Sequence, residues 1–472
     1  MRARLSEDTV RLNGGRVLLG GSPLALMRLS AAGAEEVDRL TTGSFVRPDQ
    51  PTAETRLLDR LIDAGIVDVS LDPTSEFDVA NRCTIVIPCH NDVDGLTTTL
   101  ASCPQLAVVV VDDASDDATA VRAAAEQASA TLIRLDRNVG PGAARNTGAA
   151  IATTDVLVFI DAGVTWSRPW MESALAWFDV ERILVVAPRV RSSPGPSRLE
   201  RFERDRSPID LGPRSGPVRP GTRVGYVPTA ALMVRRAGFV RAGGFDVTMR
   251  YGEDVDLVWR LSNNNGTSSA SGNSACRYLG NDAVVEHRPR RSLVTAARQR
   301  FGYGTAAAPL DRRHPGAVAP MRASKWSLAV MGLIVTGHPI AAGVVAAGNA
   351  RALARKLAPL DRGRRHSARL VVRGHVGASE QFLRTMIRPW WPVSATVAVC
   401  TRRGRRLVVA ALIVPPLLDW NRRRPDLDPA TWGALSVADD VAYSVGVWVG
   451  CWRERSIRAV LPRLSEWPGA KN

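Results

Sequence analysis

Four short, continuous runs of apolar residues stand out in the middle of the chain, and stretches with helical spacing of apolar residues separate them. The runs are Thr84–Ile87, Ala107–Val111, Leu132–Leu135 and Val156–Ile160. Continuous apolar strands that alternate with amphipathic helices are typical of sheets buried on both faces. The pattern therefore predicts an α/β core with a largely parallel sheet.

The first 75 residues show a different pattern. Two short apolar runs flank a glycine turn at residues 13–15, and helical spacing follows around residues 31–40 and again at residues 57–62. Residues 72–75, Asp-Pro-Thr-Ser, have the composition of a linker. We therefore predict a small N-terminal domain over residues 1–75, made of a strand pair and helices.

Residues 306–472 are predicted to form a mainly helical, membrane-associated region. Residues 326–350 contain no Asp, Glu, Lys or Arg, which is long enough to cross a bilayer, but residues 337–339, Gly-His-Pro, interrupt the run. Helices that lie in the membrane interface explain this pattern as well as a membrane-crossing helix does. A basic, soluble helical domain is the alternative.

The placement of charge supports a membrane surface as a partner. The 472 residues carry a formal charge of +16, yet residues 321–472 alone hold 24 Lys and Arg against nine Asp and Glu, with eight of the twelve Trp. Positive charge confined to one tryptophan-rich third of the chain indicates anionic lipid and argues against nucleic acid as a partner. The mean hydropathy of −0.06 excludes a polytopic transporter.

Cysteine usage and the N-terminal residues bear on the compartment. The six cysteines show no CxxC pair and no metal-ligand spacing, which favours a reducing compartment. Glu7 and Asp8 come too early for a secretory signal peptide. We therefore expect the protein at the cytoplasmic face of the cell membrane.

Polar segments follow three of the four predicted strands directly, at residues 88–92, 112–115 and 161–163. In open α/β sheets, ligands bind at the carboxyl ends of the strands, so the three polar clusters predict one crevice. This region contains no GxGxxG or GxxxxGK[ST] pattern, which disfavours a dinucleotide or P-loop site.

Five segments in this order resemble the family 2 glycosyltransferases, which are inverting enzymes with the A-type nucleotide-sugar fold. The resemblance covers residues 80–305, the predicted catalytic domain. The segments that carry it are Cys83–Asn91, Val110–Ser115, Gly142–Asn146, Phe159–Gly163 and Gly243–Leu257. The resemblance implies a hexosyltransferase that uses a nucleotide-sugar donor.

The resemblance also assigns donor-binding positions to His90, Asp113, Arg145 and Asp161. Asp113 matches the carboxylate that accepts the N–H of uracil in a UDP-sugar, and His90 matches a position whose ring packs on the base. From the residues alone, a helix N-cap is the alternative role for Asp113, and His90 could equally be an ordinary surface histidine.

A divalent cation, Mg²⁺ or Mn²⁺, is implied by the same resemblance. Asp161 matches the first carboxylate of the family's DxD motif, and His287 matches a later histidine that joins the metal in some members. Gly163 stands where the second Asp is expected, so one ligand is missing. The sequence thus predicts Asp161 and His287 as metal ligands and leaves cation dependence open.

An acidic segment supplies the predicted catalytic residues. Asp254 matches the general base of the family, and Glu253 and Asp256 flank it. Clustered carboxylates raise one another's pKa, which suits a base that takes a proton from an acceptor hydroxyl. An acidic first turn of a helix, favoured by the helix dipole, is the alternative reading of these residues.

The arrangement of the whole chain resembles that of one group within the family 2 glycosyltransferases. Residues 1–75 resemble the winged-helix peptide-recognition domain of the PqqD type, and together with the core and the basic tail they resemble the mycofactocin-system glycosyltransferases. That family implies transfer of glucose, from UDP-glucose, onto the peptide-derived acceptor premycofactocin, building β-1,4-linked oligoglucose. One alternative is a membrane glycosyltransferase with a lipid or polysaccharide acceptor. Another is a non-catalytic protein that binds a sugar nucleotide or a peptide.

Overall fold

The structure is a computed structural model that describes residues 2–42, 52–103, 106–167, 169–263 and 274–465. The chain divides into two compact units. The first unit gathers Met1–Val10, Leu18–Gly195 and Arg206–Pro289, and the second gathers Arg11–Val17, Pro196–Asp205 and Arg290–Asn472. The predicted domain boundaries at residues 75, 80 and 305 stay predictions.

The elements up to residue 82 are short strands and helices. They are β1 (Arg2–Leu5), β2 (Val10–Leu12), β3 (Val17–Gly20), β4 (Ala25–Arg28), α1 (Ala31–Thr42), α2 (Ala53–Asp63), β5 (Val67–Ser70) and α3 (Glu76–Arg82). Strands β1 and β5 pair antiparallel, while β2, β3 and β4 form a separate sheet in that order. Both stretches of helical spacing therefore correspond to helices, α1 and α2. The PqqD-type resemblance stays a prediction.

The next elements run to residue 287 and form two sheets, of eight and three strands, and helices. They are β6 (Cys83–Cys89), α4 (Val93–Leu100), β7 (Ala107–Asp112), α5 (Ala118–Gln127), β8 (Thr131–Arg134), α6 (Pro141–Ile151), β9 (Val156–Ile160), β10 (Val164–Trp166), α7 (Pro169–Leu175), β11 (Val185–Ala187), β12 (Arg189–Ser192), α8 (Arg198–Arg206), β13 (Gly216–Pro217), β14 (Ala231–Arg235), α9 (Arg236–Arg241), α10 (Glu253–Asn263), β15 (Cys276–Tyr278) and β16 (Val284–His287).

The central sheet of the described residues has eight strands in the order β13-β15-β11-β14-β9-β6-β7-β8. The four strands predicted from the sequence are β6, β7, β8 and β9, and they lie side by side and parallel. The prediction of a largely parallel sheet fails for the other half, because β14 pairs antiparallel with both β9 and β11. The α/β core is confirmed, but its sheet is mixed.

The hydrophobic core of the first unit surrounds this sheet. Ile85, Val110 and Val158, from three neighbouring strands, are completely buried. Leu58 and Leu61 of α2 belong to the same hydrophobic cluster as these strand residues. The N-terminal helices of the first unit therefore contribute to the core that holds the central strands in place.

The remaining elements are mainly helical. They are α11 (Leu293–Thr305), α12 (Ala307–Arg313), β17 (Arg322–Ser324), α13 (Lys325–Val335), α14 (Pro339–Lys356), α15 (Gly363–Ile387), α16 (Trp391–Cys400), α17 (Arg402–Arg423), α18 (Pro429–Arg453) and β18 (Arg463–Ser465). The uncharged run 326–350 is split between α13 and α14, with a break at residues 336–338 where Gly337 has a φ of +86°. Over the described residues, no helix has the length and hydropathy needed to cross a bilayer.

Helices α11 and α18 of the second unit pack backbone against backbone. A Cβ atom on Gly446 of α18 would overlap the carbonyl oxygen of Phe301, and one on Gly304 of α11 would overlap that of Tyr443. Only glycine permits so close an approach, because any side chain at these positions would push the helices apart. The two glycines therefore fix the distance between the helices.

A buried ion-pair network also stabilises the second unit. Arg300 of α11 is almost completely buried and pairs with Glu203 at 2.7 Å and with Asp439. A buried guanidinium needs such partners, since an unpaired buried charge is strongly destabilising. Arg300 therefore has a structural role inside this unit.

Candidate functional site

The topology of the parallel strands defines where a ligand can bind. Strands β7 and β8 follow one another on one side of β6, whereas β9 lies on its other side. The direction of winding therefore reverses between β6 and β9, and ligands of α/β sheets bind at the carboxyl ends of the strands at such a switch point. His90, Asp113 and Asp161 follow the ends of β6, β7 and β9, as predicted.

Asp113 holds the loop that precedes α6. Its side chain is buried, and its two oxygens accept the backbone N–H groups of Val139 at 2.7 Å and Gly140 at 2.9 Å. Asp113 is not the N-cap of the next helix, because Asp117 caps α5 by accepting the N–H of Ala120. The carboxylate therefore has a defined orientation, and each of its oxygens keeps a second lone pair for a further donor.

The loops after β6 and β7 are joined by side-chain hydrogen bonds. Asn91, with a φ of 55°, donates its backbone N–H to Ser115 Oγ at 3.0 Å, and its amide exchanges two hydrogen bonds with Asp116. His90, next in the chain, is exposed. These bonds fix the backbone beside His90, while its ring remains accessible to a ligand.

Arg145 is the residue that connects the donor crevice to the acidic segment. Its guanidinium is buried, pairs with Asp161 at 2.6 Å and with Glu253 at 2.9 Å, and lies 5.5 Å from the ring centre of Phe245. Burial opposes its charge, but Asp161 and Glu253 outweigh that effect and raise the pKa of Arg145. The guanidinium is therefore a permanent positive charge between two carboxylates.

Asp254 stands in the first turn of α10. It is partly buried, and its oxygens accept the N–H of Val255 at 2.8 Å and that of Thr229 at 3.4 Å. Burial raises the pKa of Asp254, and Asp161 raises it further, whereas these hydrogen bonds and Arg145 lower it. A carboxylate with a raised pKa is suited to accept a proton near neutral pH.

The two neighbouring carboxylates differ from Asp254 in their surroundings. Burial first, and the charge of Asp254 second, raise the pKa of Glu253 to about 7, and Arg145 acts in the opposite direction. Asp256 is buried and pairs with Arg260 at 2.7 Å. The predicted mutual effect of the carboxylates is thus present, but burial is the larger cause.

The predicted cation ligands lie on neighbouring segments. His287 at the end of β16 pairs in register with Val164, three residues after Asp161, and the N–H of Arg288 donates to the carbonyl of Gly163 at 3.1 Å. The side chain of Asp161 is 32% exposed, and Arg145 occupies its Oδ1. Asp161 is therefore held through one oxygen while its side chain stays partly exposed.

The backbone of Gly163 adopts the left-handed conformation that glycine favours. Its φ is +87°, and a Cβ atom there would meet only Asp92 Oδ2 at 3.8 Å and Arg288 Cβ at 3.9 Å. Within the described ranges, no group of three His, Cys, Asp or Glu side chains could hold a metal ion. The described side chains alone therefore do not provide a complete set of metal ligands.

The sequence analysis gave no indication of two contacts in the site. Thr229 acts through its backbone N–H, which any residue except proline supplies, so its residue type gives no indication of the contact with Asp254. The pairing of Arg145 with Glu253 spans 108 residues. The Gly142–Asn146 segment marked Arg145 as a donor-site residue, but only the fold brings it to Glu253.

Comparisons with known proteins identify the family of the chain. Residues 84–238 match the model of the glycosyl transferase family 2. A protein of Mycobacterium tuberculosis named pre-mycofactocin glycosyltransferase is 35% identical over 471 residues, which cover 96% of this chain and 95% of that protein. Succinoglycan biosynthesis protein ExoU of Rhizobium meliloti is 31% identical over 189 residues, or 37% of this chain and 55% of that protein.

Among solved structures, a mannosyltransferase of Pyrobaculum calidifontis in complex with GDP-Man and Mn²⁺ has a TM-score of 0.38 and 18% identity, covering 67% of this chain and 90% of that one. The M. tuberculosis protein is similar over nearly the whole length of both chains. The chain therefore belongs to the family 2 glycosyltransferases and, within them, to the mycofactocin-system group.

Proposed function

We propose that this enzyme is an inverting glycosyltransferase that moves glucose from UDP-glucose onto the peptide-derived acceptor premycofactocin and builds β-1,4-linked oligoglucose. One observation carries the proposal. Arg145 ties Asp161, at the end of β9, to Glu253, the neighbour of Asp254, so the donor crevice and the proposed base belong to one connected site. The name of the M. tuberculosis relative supports the acceptor.

Donor recognition is proposed to use the carboxyl ends of β6, β7 and β9. Asp113 accepts the N–H of the uracil with the lone pairs that its own loop leaves free, and the exposed His90 ring packs on the base. Asp161 and Arg145 form the part of the site that faces the ribose and diphosphate. Since Arg145 is buried and paired, it acts by holding Asp161 in place.

Transfer is a single displacement. The acceptor hydroxyl oxygen attacks the anomeric carbon while Asp254 takes the hydroxyl proton, and the bond from that carbon to the diphosphate oxygen breaks with its electron pair leaving on the nucleoside diphosphate. One displacement inverts the configuration, so an α-linked donor gives a β-linked product. Glu253, paired with Arg145, positions the first turn of α10 and tunes the pKa of its neighbour.

A divalent cation, Mg²⁺ or Mn²⁺, belongs to the proposal as a group shared between the donor diphosphate, Asp161 and His287. When bound, it would neutralise the charge on the leaving diphosphate. The partial exposure of the Asp161 side chain and the position of His287 beside Val164 support this ligand pair. The chain's own contribution is to orient Asp161 through Arg145.

The location we propose is the cytoplasmic face of the cell membrane. Exposed aliphatic residues on α14, α16 and α17, in a region of strongly positive charge, support a membrane surface as the partner of the second unit. A membrane location is also compatible with a second class of acceptor, a lipid-linked or polysaccharide chain. The assay below includes this class.

The test is transfer by purified protein from a panel of nucleotide sugars to premycofactocin, a lipid-linked sugar and an oligoglucan. We expect UDP-glucose with premycofactocin to give a β-linked product by NMR. Asp254→Asn should lower the transfer rate by roughly 10²–10⁴ while UDP binding by calorimetry stays near wild type. The matched control is Asp256→Asn, which removes the ion pair with Arg260. This variant should have a lower melting temperature but should keep most of its transfer activity. Wild-type turnover by Asp254→Asn would reject the proposed base.

A further inference from the structure

Two helical hairpins of the second unit place their turns next to each other. Helices α13 and α14 turn at residues 336–338, and α16 and α17 turn at Thr401. Arg403, just after Thr401, donates from Nη1 to the carbonyl of Thr336 at 2.8 Å, and a Cβ atom on Gly337 would lie 3.0 Å from Arg403 Nη2. We call residues 334–340 and 397–406 together the hairpin end.

The turn between α16 and α17 is tightly built. Thr401 Oγ1 caps α17 by accepting the N–H of Gly404 at 2.9 Å, and a Cβ atom on Gly404 would overlap the carbonyl oxygen of Val397. Arg405 Nη1 donates to the carbonyls of Ala398 and Val399 at 3.3 and 3.4 Å. The side chains on this turn therefore project from a fixed backbone.

Large aliphatic side chains on the hairpin end are exposed. Ile340 is 84% exposed, Val399 80% and Ile334 53%. Burial of such side chains removes apolar area from water, so three of them on two adjacent turns form a surface that an apolar phase would stabilise.

Positive charge surrounds these aliphatic residues without acidic residues between. Arg402, Arg405 and Arg406 are exposed on the same end. No Asp or Glu occurs between Asp311 and Asp361 or between Glu380 and Asp419, and these intervals contain the whole hairpin end. The complementary partner therefore has negative charge at its surface and an apolar layer below that surface. The headgroup region of an anionic bilayer has both properties.

We propose that the hairpin end inserts into the interface of an anionic phospholipid bilayer, with its aliphatic side chains among the upper acyl carbons and its arginines at the headgroup phosphates. The proposal rests on the membrane location proposed above and adds the element that inserts and the lipid it selects. It needs no membrane-crossing helix. It does not depend on the glycosyl transfer reaction, so vesicle binding tests it without donor or acceptor.

The first experiment is co-sedimentation of the full chain with vesicles of phosphatidylcholine alone and of phosphatidylcholine with phosphatidylglycerol at 3:1. We expect binding to the mixed vesicles only, weakened by salt because headgroup contacts are screened. Ile340→Ser with Val399→Ser should weaken binding at least tenfold. Arg402→Gln with Arg406→Gln should weaken it by a similar factor and remove much of the salt dependence.

The matched control is Val372→Ser with Val376→Ser on α15, side chains that are 61% and 56% exposed. Val376 follows His375, whose ring contacts Ser327 in the first turn of α13, away from the hairpin end. This control should bind like wild type. An equal loss in the control, or full binding by the aliphatic pair variant, would overturn the assignment of the hairpin end. So would binding to DNA that the arginine variant abolishes, with no binding to vesicles.

A second measurement needs no folding-sensitive variant. Cys400 is exposed on the hairpin end, while the other five cysteines are buried, so an NBD label will report from this position. Mixed vesicles should shift its emission to the blue, and a quencher attached to the upper acyl carbons should reduce the emission. An emission spectrum that stays unchanged while the protein sediments with vesicles would contradict insertion at this end.

Discussion

Arg145 and Glu253 form a buried ion pair, with 2.9 Å between Nη1 and Oε1, although 108 residues separate them in the chain. The same guanidinium reaches Asp161 at 2.6 Å. A single positive charge thus acts on both the donor-side carboxylate and the acidic start of α10. Its removal should be visible in the pH dependence of the reaction.

For Arg145→Gln we expect the acidic limb of the kcat/KM profile to move to higher pH. Arg145 lowers the pKa of both Glu253 and Asp254, so without its charge these carboxylates hold their protons to higher pH. A protonated base cannot accept the acceptor proton, so activity at pH 7 falls and recovers as the pH rises. Arg145→Lys, which keeps a charge, should shift the limb less. A uniform loss at every pH would mean that Arg145 acts only in folding or binding.

The pKa of about 7 for Glu253 predicts a pH-dependent stability. Its folded pKa is raised above the unfolded value, so the stabilisation that protonation provides is complete below about pH 4.5 and is lost as the pH rises through 7. Chemical denaturation of wild type and Glu253→Gln at pH 5 and pH 8 measures this. The wild type should lose on the order of 3 kcal/mol relative to the variant over that interval. A difference that is constant with pH would contradict the raised pKa.

Gly163→Asp should tighten Mn²⁺ binding relative to wild type. The variant restores the second carboxylate in a position where a Cβ atom has room. Because φ is +87°, any side chain there strains the backbone, at a cost of about 1–2 kcal/mol. Gly163→Ala carries the same strain without the carboxylate and is the matched control. Calorimetric titration with Mn²⁺ and UDP should rank Gly163→Asp above both others, and equal affinities for Asp and Ala would exclude a cation beside residue 163.

Substitutions at two glycines of α18 should have opposite effects on stability. Gly446→Ala places a methyl group against the carbonyl of Phe301 and should destabilise the protein by about 1–3 kcal/mol. Gly433→Ala, in the same helix, has nothing within 4 Å and should stabilise by about 0.5–1 kcal/mol through helix propensity. Melting temperatures measured by calorimetry decide this. A melting temperature of Gly446→Ala at or above that of the wild type would contradict the backbone-to-backbone packing of α11 and α18.

Residue pattern predicts some parts of this fold better than others, for a physical reason. Strands β6, β7, β8 and β9 are visible in the sequence because burial on both faces requires continuous apolar runs. The other half of the sheet escaped prediction in part because strands such as β11 and β13 are only three and two residues long, too short to show a period. Such strands are held by their neighbours in the sheet.

The candidate site shows the same division. Asp113 and Asp161 were placed correctly after their strands because they follow apolar runs directly. The backbone donors to Asp113, from Val139 and Gly140, depend on loop geometry that residue type does not encode. Pairings across the sheet, such as Arg145 with Glu253, depend on topology. Their functional roles remain predictions for the experiments above.

Helix α6 begins just after the loop that Asp113 holds and carries Arg145 in its second turn. Each residue of an α-helix turns the next by about 100°, so the number of residues between Gly140 and Arg145 sets the direction in which the guanidinium points. One residue inserted or deleted there would swing Arg145 away from both carboxylates while leaving the composition of the site untouched. The segment is therefore a spacer of fixed length, in which substitutions are tolerated more readily than any change of register.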